Sequence, residues 1–153
     1  MNRFEALKHA VKAHAGEKDR CGQDAILHPI AVAEALEEAH HGEYVIVAAL
    51  LHDVWEDTTY RLSGLDSLQA EHLDILTRRP TETYAEYIER CFGDFTTAHV
   101  KLADLWHNLQ PERQACLPEK ERKSLEARYL KARDRIWEAL GHSWWPAIGG
   151  DDD

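Results

Sequence analysis

The sequence predicts an all-α domain, and three observations carry that expectation. Apolar residues recur at three- and four-residue spacings along most of the chain. No stretch alternates apolar and polar residues between hairpin turns, as strands would. Glycine and proline stand at the borders of the periodic segments, at Gly16, Pro29, Gly93, Pro118 and Gly141. A length of 153 residues suits one domain, expected over residues 1–142, with a tail from 143 to 153.

In chain order, Phe4, Leu7, Ala10, Val11 and His14 form the apolar stripe of a first helix that stops at Gly16. The polar, mixed stretch from Glu17 to Leu27 reads as a loop. His28-Pro29 opens a second helix (Ile30, Val32, Ala33, Leu36), with Pro29 at its first position, where a missing N–H does no harm. A third helix runs from about Glu43 to Asp57. Its Val45–Leu51 run is apolar almost all round, which makes it the central, most buried element. Short helices cover Leu65–Leu76. Thr81 caps another from Glu82 to Phe92, ended by Gly93. Asp94 caps the next, which carries Val100, Leu102, Ala103, Leu105 and Leu109. Leu117-Pro118 starts a long helix through Leu140, ended by Gly141, whose interleaved opposite charges mark a solvated face. Trp144-Trp145-Pro146 is expected to pack on the domain or on a neighbouring subunit, and the Gly149–Asp153 tail to be disordered.

A formal charge of -10 excludes a general surface for nucleic-acid polymers. It leaves room for a phosphorylated small molecule, because a bound cation and a few local Arg or Lys outweigh the global field. Cys21, Cys91 and Cys116 are odd in number and widely spaced, and read as free thiols in a reducing compartment. No apolar run approaches the roughly 20 residues of a membrane span, and the amino terminus has no signal-peptide core. The expectation is a cytoplasmic protein with no membrane partner; a homo-oligomer is left open. Of the ten histidines, His9, His14, His40, His41, His72 and His142 share no spacing and read as surface or packing residues.

The chemistry concentrates in Leu50-Leu51-His52-Asp53-Val54-Trp55-Glu56-Asp57. On one continuous helix His52 and Glu56 share a face, as do Asp53 and Asp57. Charged groups are seldom buried unless paired or bound to metal, so this string reads as a metal site with acid/base groups beside it. His28 at a helix start and Asp104 amid apolar neighbours add two further donors, so that two imidazoles and two carboxylates from three helices could converge on one ion. Such a mixed N/O set suits Mn²⁺, Fe²⁺ or Zn²⁺ better than a sulfur-rich structural site would. Four protein ligands on a metal that accepts six leave room for water and a substrate oxygen, the arrangement for metal-assisted hydrolysis. No Gly-rich phosphate loop, nucleophile elbow or zinc-protease helix competes with this reading.

His28-Pro29, His52-Asp53 and Asp104 within Lys101-Leu-Ala-Asp104-Leu-Trp-His-Asn108 resemble the signature of the HD-domain phosphohydrolases. The strings Ala48–Thr58, Thr77-Arg78-Arg79-Pro80 and Glu82–Ile88 resemble the hydrolase domain of the RelA/SpoT homologues and the small alarmone hydrolases. The similarity runs from about Ala13 to Asn108. It implies a helical bundle and a Mn²⁺-dependent enzyme that removes the 3′-pyrophosphate of guanosine tetra- or pentaphosphate. By resemblance, His28, His52, Asp53 and Asp104 are the metal ligands, Glu56 and Asp57 the catalytic pair, and Asn108 a substrate contact. Lys101, Arg78 and Arg20 are candidates for further substrate contact. The family carries Gln-x-Arg and Pro-Tyr ahead of its HP motif, where this chain has Glu17, Asp19 and Asp24-Ala25. An aspartate can neither stack on a base nor attract phosphate as a guanidinium does. An adenine alarmone such as ppApp therefore stands beside ppGpp as substrate. Two other readings remain: hydrolysis of (deoxy)nucleotides at the 5′ side, and a non-catalytic nucleotide-binding module.

Overall fold

The computed structural model describes residues 1–141, which form nine helices and, among the described residues, no strand. They are α1 (Arg3–Ala13), α2 (Leu27–Glu38), α3 (Glu43–Leu51), α4 (Val54–Asp57), α5 (Ser67–Leu76), α6 (Tyr84–Cys91), α7 (Phe95–Asn108), α8 (Pro111–Gln114) and α9 (Glu119–Leu140). The expected all-α class is what the chain adopts. Trp144, Trp145 and the acidic tail lie outside the described residues.

The central helix is α3, as its composition requires: every residue from Val45 to Leu51 is buried. It packs against α1, α2, α5 and α7, while α7 also packs on α2 and α9. α3 does not run on to Asp57. It ends at Leu51, His52 and Asp53 form a turn, and α4 restarts at Val54. His52 and Asp53 thus form a corner at the end of the buried helix, while the Asp57 N–H keeps its bond to the Asp53 carbonyl at 2.9 Å, so that Asp53 and Asp57 still stand one turn apart.

α1 is capped by Asn2 and Glu5, each side chain taking the other residue's backbone N–H. Its buried face is Ala6, Ala10 and Ala13, whereas Phe4, Leu7 and Val11 point outward. Both sets have helical spacing. The small residues win because they let α1 lie close on α3, so the expected stripe is corrected. Gly16, at φ +76°, then turns the chain into the loop.

α2 starts two residues before the expected position and holds Pro29 third, still in the first turn, whose N–H groups need no intrahelical partner. α6 is capped by Thr83, which accepts from the Glu86 N–H, two residues beyond the expected Thr81. Asp94 caps α7 by accepting from the Thr97 N–H, as anticipated. Pro118 precedes α9 and Gly141 ends it in the left-handed region, also as anticipated.

The cysteine expectation fails. Cys21 in the α1–α2 loop and Cys116 before α9 form a disulfide with a Cα–Cα distance of 5.4 Å, and Cys91 alone is a free, buried thiol. Among the described residues no helix is long and apolar enough to cross a membrane.

Candidate metal centre and active site

Three elements deliver the donors. The first turn of α2 carries His28, the corner after α3 carries His52 and Asp53, and the middle of α7 carries Asp104. His28, His52 and Asp104 are buried, and Asp53 is half-buried. One ligand atom from each of His28, His52 and Asp53 lies within 4.8 Å of the others, a spacing that could hold a metal ion. Asp104 lies outside that mutually close trio but adjoins it: its Oδ1 is 3.0 Å from His28 Nε2 and 3.8 Å from His52 Nε2.

The tautomers favour ligation. His52 Nδ1 lies 2.7 Å from the Ala49 carbonyl oxygen, which can only accept, so this nitrogen carries its proton. His52 Nε2 is then a buried atom with no hydrogen-bond partner, 3.1 Å from Asp53 Oδ1. Two electron-rich atoms aimed past each other describe ligands that share a centre better than a donor with its acceptor. His28 Nδ1 contacts His107 Nδ1 at 2.7 Å, and the rings stack at 4.9 Å. Burial and the neighbouring His28 push His107 down to about 4, which keeps it neutral and able to accept the His28 proton. His28 Nε2 is left free toward the cluster.

The electrostatics call for a positive charge. Burial alone would lower His52, yet the carboxylates of Asp53 and Asp104 outweigh it and hold the imidazole up to about 9. A proton satisfies that demand, and a divalent cation displaces the proton. Burial likewise opposes ionisation of Asp104, but the Lys101 ammonium 2.5 Å from Oδ2 and the two imidazoles hold its carboxyl well below the usual range. Lys101, with 11% of its side chain exposed, is kept charged by Asp104 and sits 5.0 Å over the Tyr87 ring. The donor set therefore fits a hard or borderline divalent cation.

Two cavities meet at this cluster. The smaller, about 290 Å³, is lined by His28, Asp53, Glu56, Asp57, Asp104 and Asn108 together with Arg78, Lys101, Arg113, Arg128, Tyr84, Tyr87 and Tyr129. Glu56 accepts the Arg78 backbone N–H at 3.0 Å. Solvent reaches Asp57, yet partial burial and the carboxylates of Asp53 and Glu56 push it up to about 6, within reach of proton exchange near neutrality. Asn108 Nδ2 donates to Asp104 Oδ1 at 2.6 Å, one turn along α7. The larger cavity, about 420 Å³, lies toward the α1–α2 loop and shares His28, Asp53, Asp57, Asn108, Arg113 and Tyr129 with the first.

Of the residues singled out in the sequence, His28, His52, Asp53, Asp104, Glu56, Asp57, Asn108, Lys101 and Arg78 come together around the cluster and the smaller cavity. Arg20 does not join them. It borders the larger cavity and pairs with Glu121 of α9. Three residues escaped the sequence reading. Arg128 comes from α9, whose interleaved charges mark a solvated face in the sequence, and Arg113 from the short α8, which no sequence pattern announces. His14, read as packing, is buried beside the larger cavity with neither ring nitrogen hydrogen-bonded. Its place at the end of α1, just before the loop, was the one available signal.

Comparison with known proteins agrees with this architecture. Residues 6–77 match the HD domain family model. The chain is 33% identical over 133 residues to a probable guanosine-3′,5′-bis(diphosphate) 3′-pyrophosphohydrolase of Synechocystis sp., covering 77% of this chain and 17% of that protein. It is 29% identical over 113 residues to the guanosine-3′,5′-bis(diphosphate) 3′-pyrophosphohydrolase of Haemophilus influenzae (64% and 17%), and 29% identical over 137 residues to a GTP pyrophosphokinase of Streptomyces coelicolor (79% and 16%). The chain thus spans about one sixth of the length of these relatives. A solved structure described as a metazoan ortholog of SpoT that hydrolyzes ppGpp superposes with a TM-score of 0.69 at 21% identity, over 91% of this chain and 95% of the other. Motif order and helical architecture agree with the match to the HD domain model over residues 6–77, a little under half of the chain.

Proposed function

We propose that the chain is a metal-dependent phosphohydrolase that removes the 3′-pyrophosphate of guanosine 3′,5′-bis(diphosphate) or a close alarmone. The observation that carries this reading is the buried, unpartnered Nε2 of His52 set against Asp53, His28 and Asp104, with Glu56 and Asp57 beside it. The hydrolase names of the Synechocystis and Haemophilus relatives support the same chemistry.

His28, His52, Asp53 and Asp104 would hold the cation, with Mn²⁺ the proposed ion. When bound, it stabilises charge developing on the phosphoryl oxygens. The chain's own groups do the rest. Asp57, near 6, orients the attacking water and takes its proton, with Glu56 as its neighbour. Water attacks the phosphorus next to the 3′ oxygen, that P–O bond breaks, the 3′ oxygen leaves as a hydroxyl on taking up the proton released from the water, and the products are pyrophosphate and a nucleoside 5′-diphosphate. Arg78, Lys101 and Arg128 give the smaller cavity its positive side for the phosphates, and Asn108 ties substrate contact to Asp104. With the thiol argument gone, a cytoplasmic setting rests on the nucleotide substrate alone.

The test is incubation with Mn²⁺ and a panel of ppGpp, ppApp, dNTPs and dNMPs, with products resolved by chromatography. The expected result is pyrophosphate and GDP from ppGpp. Glu56→Gln should retain the metal and lose on the order of 100-fold in rate. Tripolyphosphate from dNTPs, or orthophosphate from dNMPs, would move the assignment to the 5′-side hydrolases. No release from any nucleotide would leave a binding module.

A further inference from the structure

Arg113 stands where the two cavities join, and its contacts are unusual for a cation at a nucleotide site. Its Nε and Nη2 lie 3.2 and 3.1 Å from Asn108 Oδ1, and its Nη1 lies 3.3 Å from Asp19 Oδ2. Asp19 is itself fixed, its Oδ1 accepting the backbone N–H groups of Cys21 and Gln23 at 2.9 Å each. One polar chain therefore runs from Asp104 through Asn108 and Arg113 to Asp19 and the loop backbone.

We propose that Arg113, held by Asp19 and Asn108, is the specificity-determining residue that reads the O6 and N7 edge of a guanine base in the larger cavity. This rests on the nucleotide-hydrolase reading above and narrows it to guanine.

The donor count comes first. A guanidinium has five N–H groups, and three are spent on Asn108 and Asp19. The two that remain sit on the two terminal nitrogens. Guanine offers two adjacent acceptors on that edge, O6 and N7, which match such a fork; adenine offers N7 beside an N6 amino donor, which does not.

Charge argues against phosphate in the same place. The larger cavity is walled by Glu17, Asp19, Asp53 and Asp57, while its other cations are engaged elsewhere, Lys18 with Asp24 and Arg20 with Glu121. Phosphate finds its cations in the smaller cavity. Ala25, Leu117, Leu125 and Tyr129 give the larger one the apolar and aromatic surface that a base needs. Asp19 is then no loss of base recognition. It is the carboxylate that holds an arginine supplied from the opposite wall.

The experiment compares wild type, Arg113→Ala and Arg113→Lys. It measures kcat/KM for ppGpp and ppApp with Mn²⁺, and calorimetric binding of GDP and ADP without added metal. A melting curve for each variant confirms folding. Arg113→Ala should lose on the order of 10- to 100-fold more on ppGpp than on ppApp, and more in GDP binding than in ADP binding, and lysine should not restore either ratio. Asp19→Asn should move the same ratio in the same direction by less. Equal losses for both bases would make Arg113 a phosphate contact or a structural residue, and an unchanged ratio would remove it from the base; either overturns the proposal. Should wild type hydrolyse neither alarmone, the proposed function falls, and the GDP-over-ADP binding ratio still decides the role of Arg113.

Discussion

Cys116→Ser removes the covalent tie between the α1–α2 loop and the segment before α9, and the size of its effect can be worked from the structure. The bridge joins positions 95 residues apart. Closing a loop of that length removes about 16 cal/mol/K of chain entropy from the unfolded state, or about 4.7 kcal/mol at 25 °C. For a chain of this length each kcal/mol moves the melting temperature by about 2–4 °C, so the variant should melt about 10–20 °C lower. Urea denaturation reports on the cause. If the bridge acts on the unfolded chain, the slope of free energy against urea should rise in the variant, because an untied chain exposes more surface. A thiol count in denaturant, without reductant, should find one thiol in wild type, that of Cys91. Three thiols in wild type, or a variant melting with it, would refute the reasoning.

Two further predictions concern charge in the site. Lys101→Met should cost about 3–5 kcal/mol in unfolding free energy at neutral pH, because it takes the ammonium from Oδ2 of the buried Asp104 carboxylate and leaves only the Asn108 and His28 contacts on Oδ1. A variant as stable as wild type by urea titration would mean that water or another group already satisfies Asp104. Asp57 must be ionised to take a proton, and its carboxyl lies raised, at about 6, so its active form is lost as pH falls through that value. A bound cation draws the value down. The rate–pH profile with saturating metal should therefore show an acid limb at or below about 6, and an Asp57→Asn variant that kept the limb would remove Asp57 from the proton transfer.

The donors were legible because chemistry and placement coincide in them. His28, His52, Asp53 and Asp104 are residues a core does not accept unpaired; apolar neighbours bury His28, His52 and Asp104, and Asp53 lies half-buried beside them. Asp94 and Gly141 declared the ends of their helices by cap chemistry that acts within three or four residues. What the sequence hid depends on distant partners or on competing local patterns. The corner at His52-Asp53 was masked because Val54 continues the apolar period through it. The buried face of α1 was misread because Phe4, Leu7 and Val11 are more apolar than the alanines that pack. Cysteine pairing cannot be read from spacing alone. Arg113 meets Asp19 across 94 residues, from a four-residue helix with no periodic signal of its own.

The end of α3 has one more consequence. Nine residues of aligned peptide dipoles, sunk in apolar surroundings, terminate at the corner that presents His52 and Asp53. Their carbonyl ends give that terminus a fraction of a negative charge, roughly half an electron, in a region where little solvent screens it. The backbone would thus draw cations to this corner even before any carboxylate is counted, so replacing one ligand should weaken metal uptake without erasing the pull that brings the ion there.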